Sequence, residues 1–101
     1  MTKEEFFDFA NSEVKHALNV LELKSSYNNP KDYFSYFDRV ATLLGVSKEE
    51  ALFALMSKHI ISIVDLCKKQ ESDFTIWQEK LTDTINYLIL LGAMEKEKQN
   101  G

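Results

Sequence analysis

The chain has 101 residues, 45% of them apolar and 28% charged, with a formal net charge of −4; this composition suits one globular domain over residues 1–101 with a modest core. The acidic balance argues against a broad nucleic-acid surface, and the single Cys67 excludes an intrachain disulfide or a cysteine-built zinc site. The longest uncharged run, Thr84 to Met94, is too short to cross a bilayer, and the start MTKEEFFDFA is acidic and amphipathic rather than a signal peptide, so a cytoplasmic protein without a membrane partner is expected.

Three glycines and one proline leave few breaks, which favours long helices. Helix one is predicted over Lys3–Ser25, opened by a Thr2/Glu5 capping box. Phe7, Ala10, Val14, Ala17, Leu18 and Leu21 form its main apolar stripe. Phe9, His16, Val20, Leu23 and Tyr27 form a second stripe on the opposite side, and a helix with two apolar faces touches two partners. Tyr27, Asn28, Asn29 and Pro30 make the first break, with Asn29 as cap and Pro30 opening helix two, which runs to Leu44. Phe34, Phe37, Val40, Ala41 and Leu44 give helix two its apolar face, and Gly45 fits the left-handed position behind it.

A Ser47/Glu50 capping box opens helix three, which is predicted to run to about Lys69. Leu52, Leu55, Met56, His59, Ile60 and Ile63 cover its broad face; Ala54, Ile61 and Val64 make a smaller patch. The charged segment Lys68–Asp73 reads as a loop. Helix four is predicted from Thr75, in a third capping box with Gln78, to about Glu97, with a fraying tail from Glu95. Trp77, Leu81, Ile85, Leu88 and Gly92 share one face, with Glu79, Asp83 and Asn86 opposite and Leu90 and Ala93 continuing that second side. The result is an all-α, four-helix bundle-like domain. The doubly apolar helices one and four predict a homo-oligomer, most simply a two-fold dimer.

The acidic stripe is the one arrangement that suggests chemistry. Glu79 and Asp83, four residues apart, can present oxygen ligands to magnesium, with Asp65 and Glu49 or Glu50 as additions; such pairs also decorate wet helix faces. Asn86 extends the stripe. Lys24 closes helix one, where it can meet a phosphate or offset the helix dipole; Lys58 can meet a phosphate or an ordinary counter-ion. His59 and His16 read as packed histidines without zinc-motif spacing, and Tyr87 as packing with its hydroxyl at a rim. No glycine-rich phosphate loop is present.

Four anchors carry a resemblance: Lys24 through Tyr27-Asn28, Phe37 through Leu43, Ala51 through Lys58, and Asp83-Thr84-Ile85-Asn86-Tyr87 with Glu79 one turn ahead. Over roughly His16 to Ala93 the chain resembles small phage and bacterial proteins associated with nucleotide modification. These are similar to the all-alpha, MazG-like nucleoside triphosphate pyrophosphohydrolases and dimeric dUTPases. The resemblance implies a MazG-type helical arrangement. It also implies nucleotide binding, or magnesium-dependent attack of water on the α-phosphate with release of pyrophosphate. Glu79 and Asp83 would hold magnesium, with Glu50 as a further ligand and Asp65 as a further catalytic carboxylate. Lys24, Tyr27, Lys58 and Asn86 would contact the nucleotide. The sequence departs from that pattern: no Glu-x-x-Glu pair exists, the later pair is Glu-x-x-x-Asp, Asn28 replaces a glycine, and Ile61 stands where a basic residue often follows the lysine. The alternative expectation is a non-enzymatic oligomeric phage accessory protein that binds a host or phage protein.

Overall fold

The computed structural model describes residues 1–25 and 31–100. It is all-helical, with α1 Lys3–Ser25, α2 Ser35–Leu44, α3 Lys48–Lys68 and α4 Phe74–Asn100. The expected first break, including Tyr27 and Pro30, lies outside the described residues. No helix among the described residues is long and apolar enough to cross a membrane.

Local chemistry sets most of the boundaries. The Thr2 hydroxyl accepts from the Glu5 N–H and the Glu5 carboxylate from the Thr2 N–H, so both donors at the start of α1 are satisfied. Ser47 and Glu50 make the same reciprocal pair at α3. Gly45 has φ 70° and closes α2 in the left-handed region, and the Val46 N–H reaches back to the Ala41 carbonyl at 3.1 Å.

Two starts differ from expectation. α2 begins at Ser35 because Asp32 holds the preceding turn: its carboxylate accepts from the Phe34 N–H and its carbonyl from the Ser35 N–H. α4 begins at Phe74 because Asp73, not Thr75, is the cap; the Asp73 carboxylate accepts from the Thr75 N–H at 2.9 Å. The expected Thr75/Gln78 box does not form, since Gln78 is used elsewhere. The tail also stays helical to Asn100. Glu97 pairs with Lys48, and Lys98 pairs with Glu49, both at the start of α3.

These end-to-end pairs show that α3 and α4 run in opposite directions. α1 and α4 run in the same direction, because Phe9 meets Phe74, Glu13 meets Gln78 and Thr82, and Ala17 meets Asn86 in step. α4 lies between α1 and α3, and α2 packs on α3. The main core sits at the α2 end, where Phe34, Phe37, Leu52 and Met94 are buried with Leu55, Tyr87, Leu90 and Leu91 against them.

The deepest line of α4 runs along the side that carries Asn86, while Trp77, Leu81 and Ile85 of the apolar stripe are half-buried. Thr82, Asn86 and Met94 are buried, whereas Leu88 on the apolar stripe is 53% exposed. Polar Thr82 and Asn86 are tolerated inside because α1 supplies their partners: the Glu13 carboxylate accepts from the Thr82 hydroxyl at 2.8 Å, and the Ala17 carbonyl accepts from Asn86 Nδ2 at 3.0 Å.

Candidate functional site

A cleft opens where residues from all four helical segments converge. Its volume is about 360 Å³. The end of α1 contributes Leu21 and Lys24, the α2 region Tyr33, Tyr36 and Phe37, α3 Lys58 and His59, and α4 Asp83, Asn86, Tyr87 and Leu90. The helical spacing of Asp83, Asn86, Tyr87 and Leu90 turns all four toward one side of α4.

Asp83 is the electrostatic hub. Its Oδ1 lies 3.1 Å from Lys24 Nζ, and its Oδ2 lies 3.6 Å from His59 Nδ1. The second distance is too long for a hydrogen bond, and His59 Nδ1 is buried without a partner. Burial pushes the His59 pKa below its ordinary value; Asp83 opposes that shift, and Lys58, Lys80 and Lys24 reinforce it. The imidazole is therefore neutral at pH 7. Its ring lies 5.4 Å from that of Tyr87, whose hydroxyl is held protonated by burial and by the Asp83 charge. Asn86 spends its amide N–H on the Ala17 carbonyl, and its Oδ1 is buried with no partner. The site thus offers two ammonium groups, a protonated phenol, and two buried polar atoms with unused hydrogen-bonding capacity.

The structure brings together Lys24, Lys58, Asp83 and Asn86, four of the residues singled out in the sequence. It adds His59 and Tyr87, whose sequence reading was packing, together with Tyr33 and Tyr36. Tyr27 lies outside the described residues. Glu79 is not in the cleft. Its side chain is 70% exposed, and it borders a neighbouring groove with His16, Val20 and Gln78 that shares Lys24 and Asp83 with the cleft. Asp65 is exposed on α3 and lines neither hollow. Glu50 is likewise exposed and is spent on the Ser47 cap.

The carboxylate shell expected from the sequence does not assemble. Among the described residues no three His, Cys, Asp or Glu side chains group to hold a metal ion, and Asp83, the one carboxylate that lines the cleft, already faces Lys24 and His59. A magnesium ion here would have to take its remaining oxygens from water and from a ligand's phosphates. Comparison with protein-family models, curated proteins and solved structures returns no match.

One further polar cluster escaped the sequence reading. Glu13 is buried, and its carboxylate accepts from Thr82 Oγ1 at 2.8 Å and Gln78 Nε2 at 3.1 Å. The signal available was the 78/82 spacing of two hydrogen-bond donors on one helix face; the partner on α1 is 65 or more positions away and carries no local mark.

Proposed function

We propose that this protein binds a small ligand combining an anionic group with an aromatic ring, of the mononucleotide type, without hydrolysing it. The observation that carries the reading is the convergence of Lys58, Lys24 and the unpartnered His59 Nδ1 and Asn86 Oδ1 in one tyrosine-lined cleft. A buried acceptor without a partner is unfavourable by about 1–3 kcal/mol, and a ligand that supplies a donor removes that penalty. The cleft volume falls at the small end of the range for ligand sites, about 300–1,000 Å³, which suits a mononucleotide better than a dinucleotide.

The chemistry divides the cleft. Lys58 makes no ion pair among the described residues and is the group best placed to offset phosphate charge. Lys24 is engaged by Asp83, so it screens that carboxylate from an incoming anion. Asp83 and Asn86 Oδ1 are acceptors and select amino or hydroxyl groups on the ligand. Tyr33, Tyr36 and Tyr87 offer ring faces or edges to an aromatic base. The MazG-like resemblance supports the choice of nucleotides as ligand class; the missing carboxylate cluster argues for binding over turnover.

Calorimetric titration with nucleoside mono- and triphosphates and with inorganic phosphate tests this, each with magnesium and with chelator. Binding that survives chelation, with the nucleotide recovered intact, is expected. Lys58→Met weakens it by tenfold or more, about 1.4 kcal/mol. Pyrophosphate release would restore the hydrolase, and no binding across the panel would favour the protein-binding alternative.

A further inference from the structure

The cleft meets a ligand at two depths. Its ammonium groups are on the outside: the Lys24 side chain is 64% exposed, and Lys58 is exposed as well. Asn86 lines the same cleft but is only 5% exposed, and the buried Phe37 is part of the same wall. An anion at the mouth keeps part of its hydration and meets the cations there, whereas burying it would be costly. The ring of the ligand therefore goes inward, and its edge meets Asn86.

Asn86 offers that edge one kind of atom. Its Nδ2 donates to the Ala17 carbonyl at 3.0 Å, so the amide nitrogen is turned toward α1. A flipped amide would set Oδ1 against that carbonyl, acceptor against acceptor. Oδ1 is left over, buried and without a partner. Asp83, three residues earlier, lines the cleft on the same side of α4, and its carboxylate oxygens also accept. His59 Nδ1, the other unpartnered atom in the cleft, donates in one neutral tautomer and accepts in the other, so it adapts to the ligand. The choice falls to Asn86 and Asp83, and both require a donor.

Nucleobases divide on this point. Cytosine and adenine carry an exocyclic amino group, while uracil and hypoxanthine hold a carbonyl oxygen at the same position. The ring N–H of the carbonyl bases lies next to that oxygen, so bringing the N–H to Asn86 Oδ1 carries the carbonyl in against acceptors. A site built around a hydrogen bond rejects the analogue that cannot make it far more strongly than an apolar pocket rejects a misfit.

We infer that Asn86 is the specificity-determining residue of the cleft and selects a base with an exocyclic amino group, of the cytosine or adenine type, over its carbonyl counterpart, with the base inward and the phosphate at the mouth. The inference rests on the nucleotide-binding reading above and adds to it the class of base and the orientation.

Calorimetric titration with the 5′-monophosphates of cytidine, uridine, adenosine and inosine tests it. In every pair that binds, the amino base should bind tighter than its carbonyl counterpart by about tenfold or more. Equal affinities, or a preference for the carbonyl base, overturn the inference and leave the nucleotide reading standing; no binding by any of the four overturns both. The cytidine and adenosine analogues with hydrogen in place of the amino group should lose about tenfold as well, and retained affinity overturns the inference. Asn86→Leu keeps the size of the side chain but removes the acceptor, so the preference within each pair should collapse; a preference that survives in the folded variant overturns the assignment to Asn86. Should Asn86→Leu lose its helical signal in circular dichroism, the side-chain amide resonances of Asn86 in the wild type replace it. They should shift with the amino nucleotide and not with the analogue lacking the amino group, and equal shifts overturn the assignment.

Discussion

Asp83 sits between a cation and an imidazole, and its influence on His59 has a definite sign. The carboxylate raises the His59 pKa against the stronger lowering by burial. Asp83→Asn should therefore push that pKa lower still, which a proton NMR titration of the imidazole resonances reads; an unchanged or higher value would show that the pair is not coupled. The same shift links folding to pH. His59 has a folded-state pKa below its ordinary 6.5, so between the two values the unfolded chain binds more protons than the folded one. Stability then rises with pH across that window and is lost as pH falls from 6.5 toward the folded value. Melting points taken from about pH 5 to pH 7.5 should show this slope, and His59→Gln should flatten the part that His59 contributes.

At the scale of the helices, what could be read from sequence was whatever is encoded within a few residues. The Thr2/Glu5 and Ser47/Glu50 boxes and the Gly45 terminus depend on contacts inside one turn, and all three form as expected. That Asp83 and Asn86 share one side of α4 follows from their spacing alone, whereas the arrival of Lys24 from α1 and Lys58 from α3 at the same cleft is set by tertiary packing that no local spacing marks. Which face of α4 turns inward was not legible. Periodicity identifies two faces, but the choice depends on Glu13 and the Ala17 carbonyl, which are distant in sequence and supply partners for Thr82 and Asn86. Gln70 was also missed: it holds φ 55° just beyond α3, where glycine is the usual signal. Two alanine substitutions separate core from face. Leu52 is fully buried, so Leu52→Ala should destabilise by about 2–5 kcal/mol at any protein concentration in chemical denaturation. Leu88 is 53% exposed, so Leu88→Ala removes far less buried surface and should cost much less than Leu52→Ala in the same denaturation measurement.

Across the whole molecule, stability is unevenly distributed. The buried cluster of Phe34, Phe37, Leu52 and Met94 joins α2, α3 and α4, and none of its members comes from α1. α1 is held instead through α4, by small Ala17 at the contact, the Phe9–Phe74 ring pair, and three polar links from Glu13 and Ala17 to Gln78, Thr82 and Asn86. Buried polar links are strong when every partner is present and unfavourable when one is removed. Thr82→Val keeps the size of the side chain but leaves Glu13 Oε1 without its donor, a loss of about 1–3 kcal/mol. Because that loss falls on the α1–α4 contact and not on the main core, it should appear as local opening. Native-state hydrogen exchange should show α1 amides exchanging faster in Thr82→Val, with α3 amides around Leu52 and Met56 nearly unchanged. Uniform acceleration along the chain would mean that α1 folds in one unit with the rest. α1 also supplies Lys24 to the cleft, so opening this helix removes one of its two ammonium groups. Thr82→Val should therefore weaken nucleotide binding even though its hydroxyl points at Glu13 and not into the cleft, and the weakening should grow with the α1 exchange rate as temperature rises.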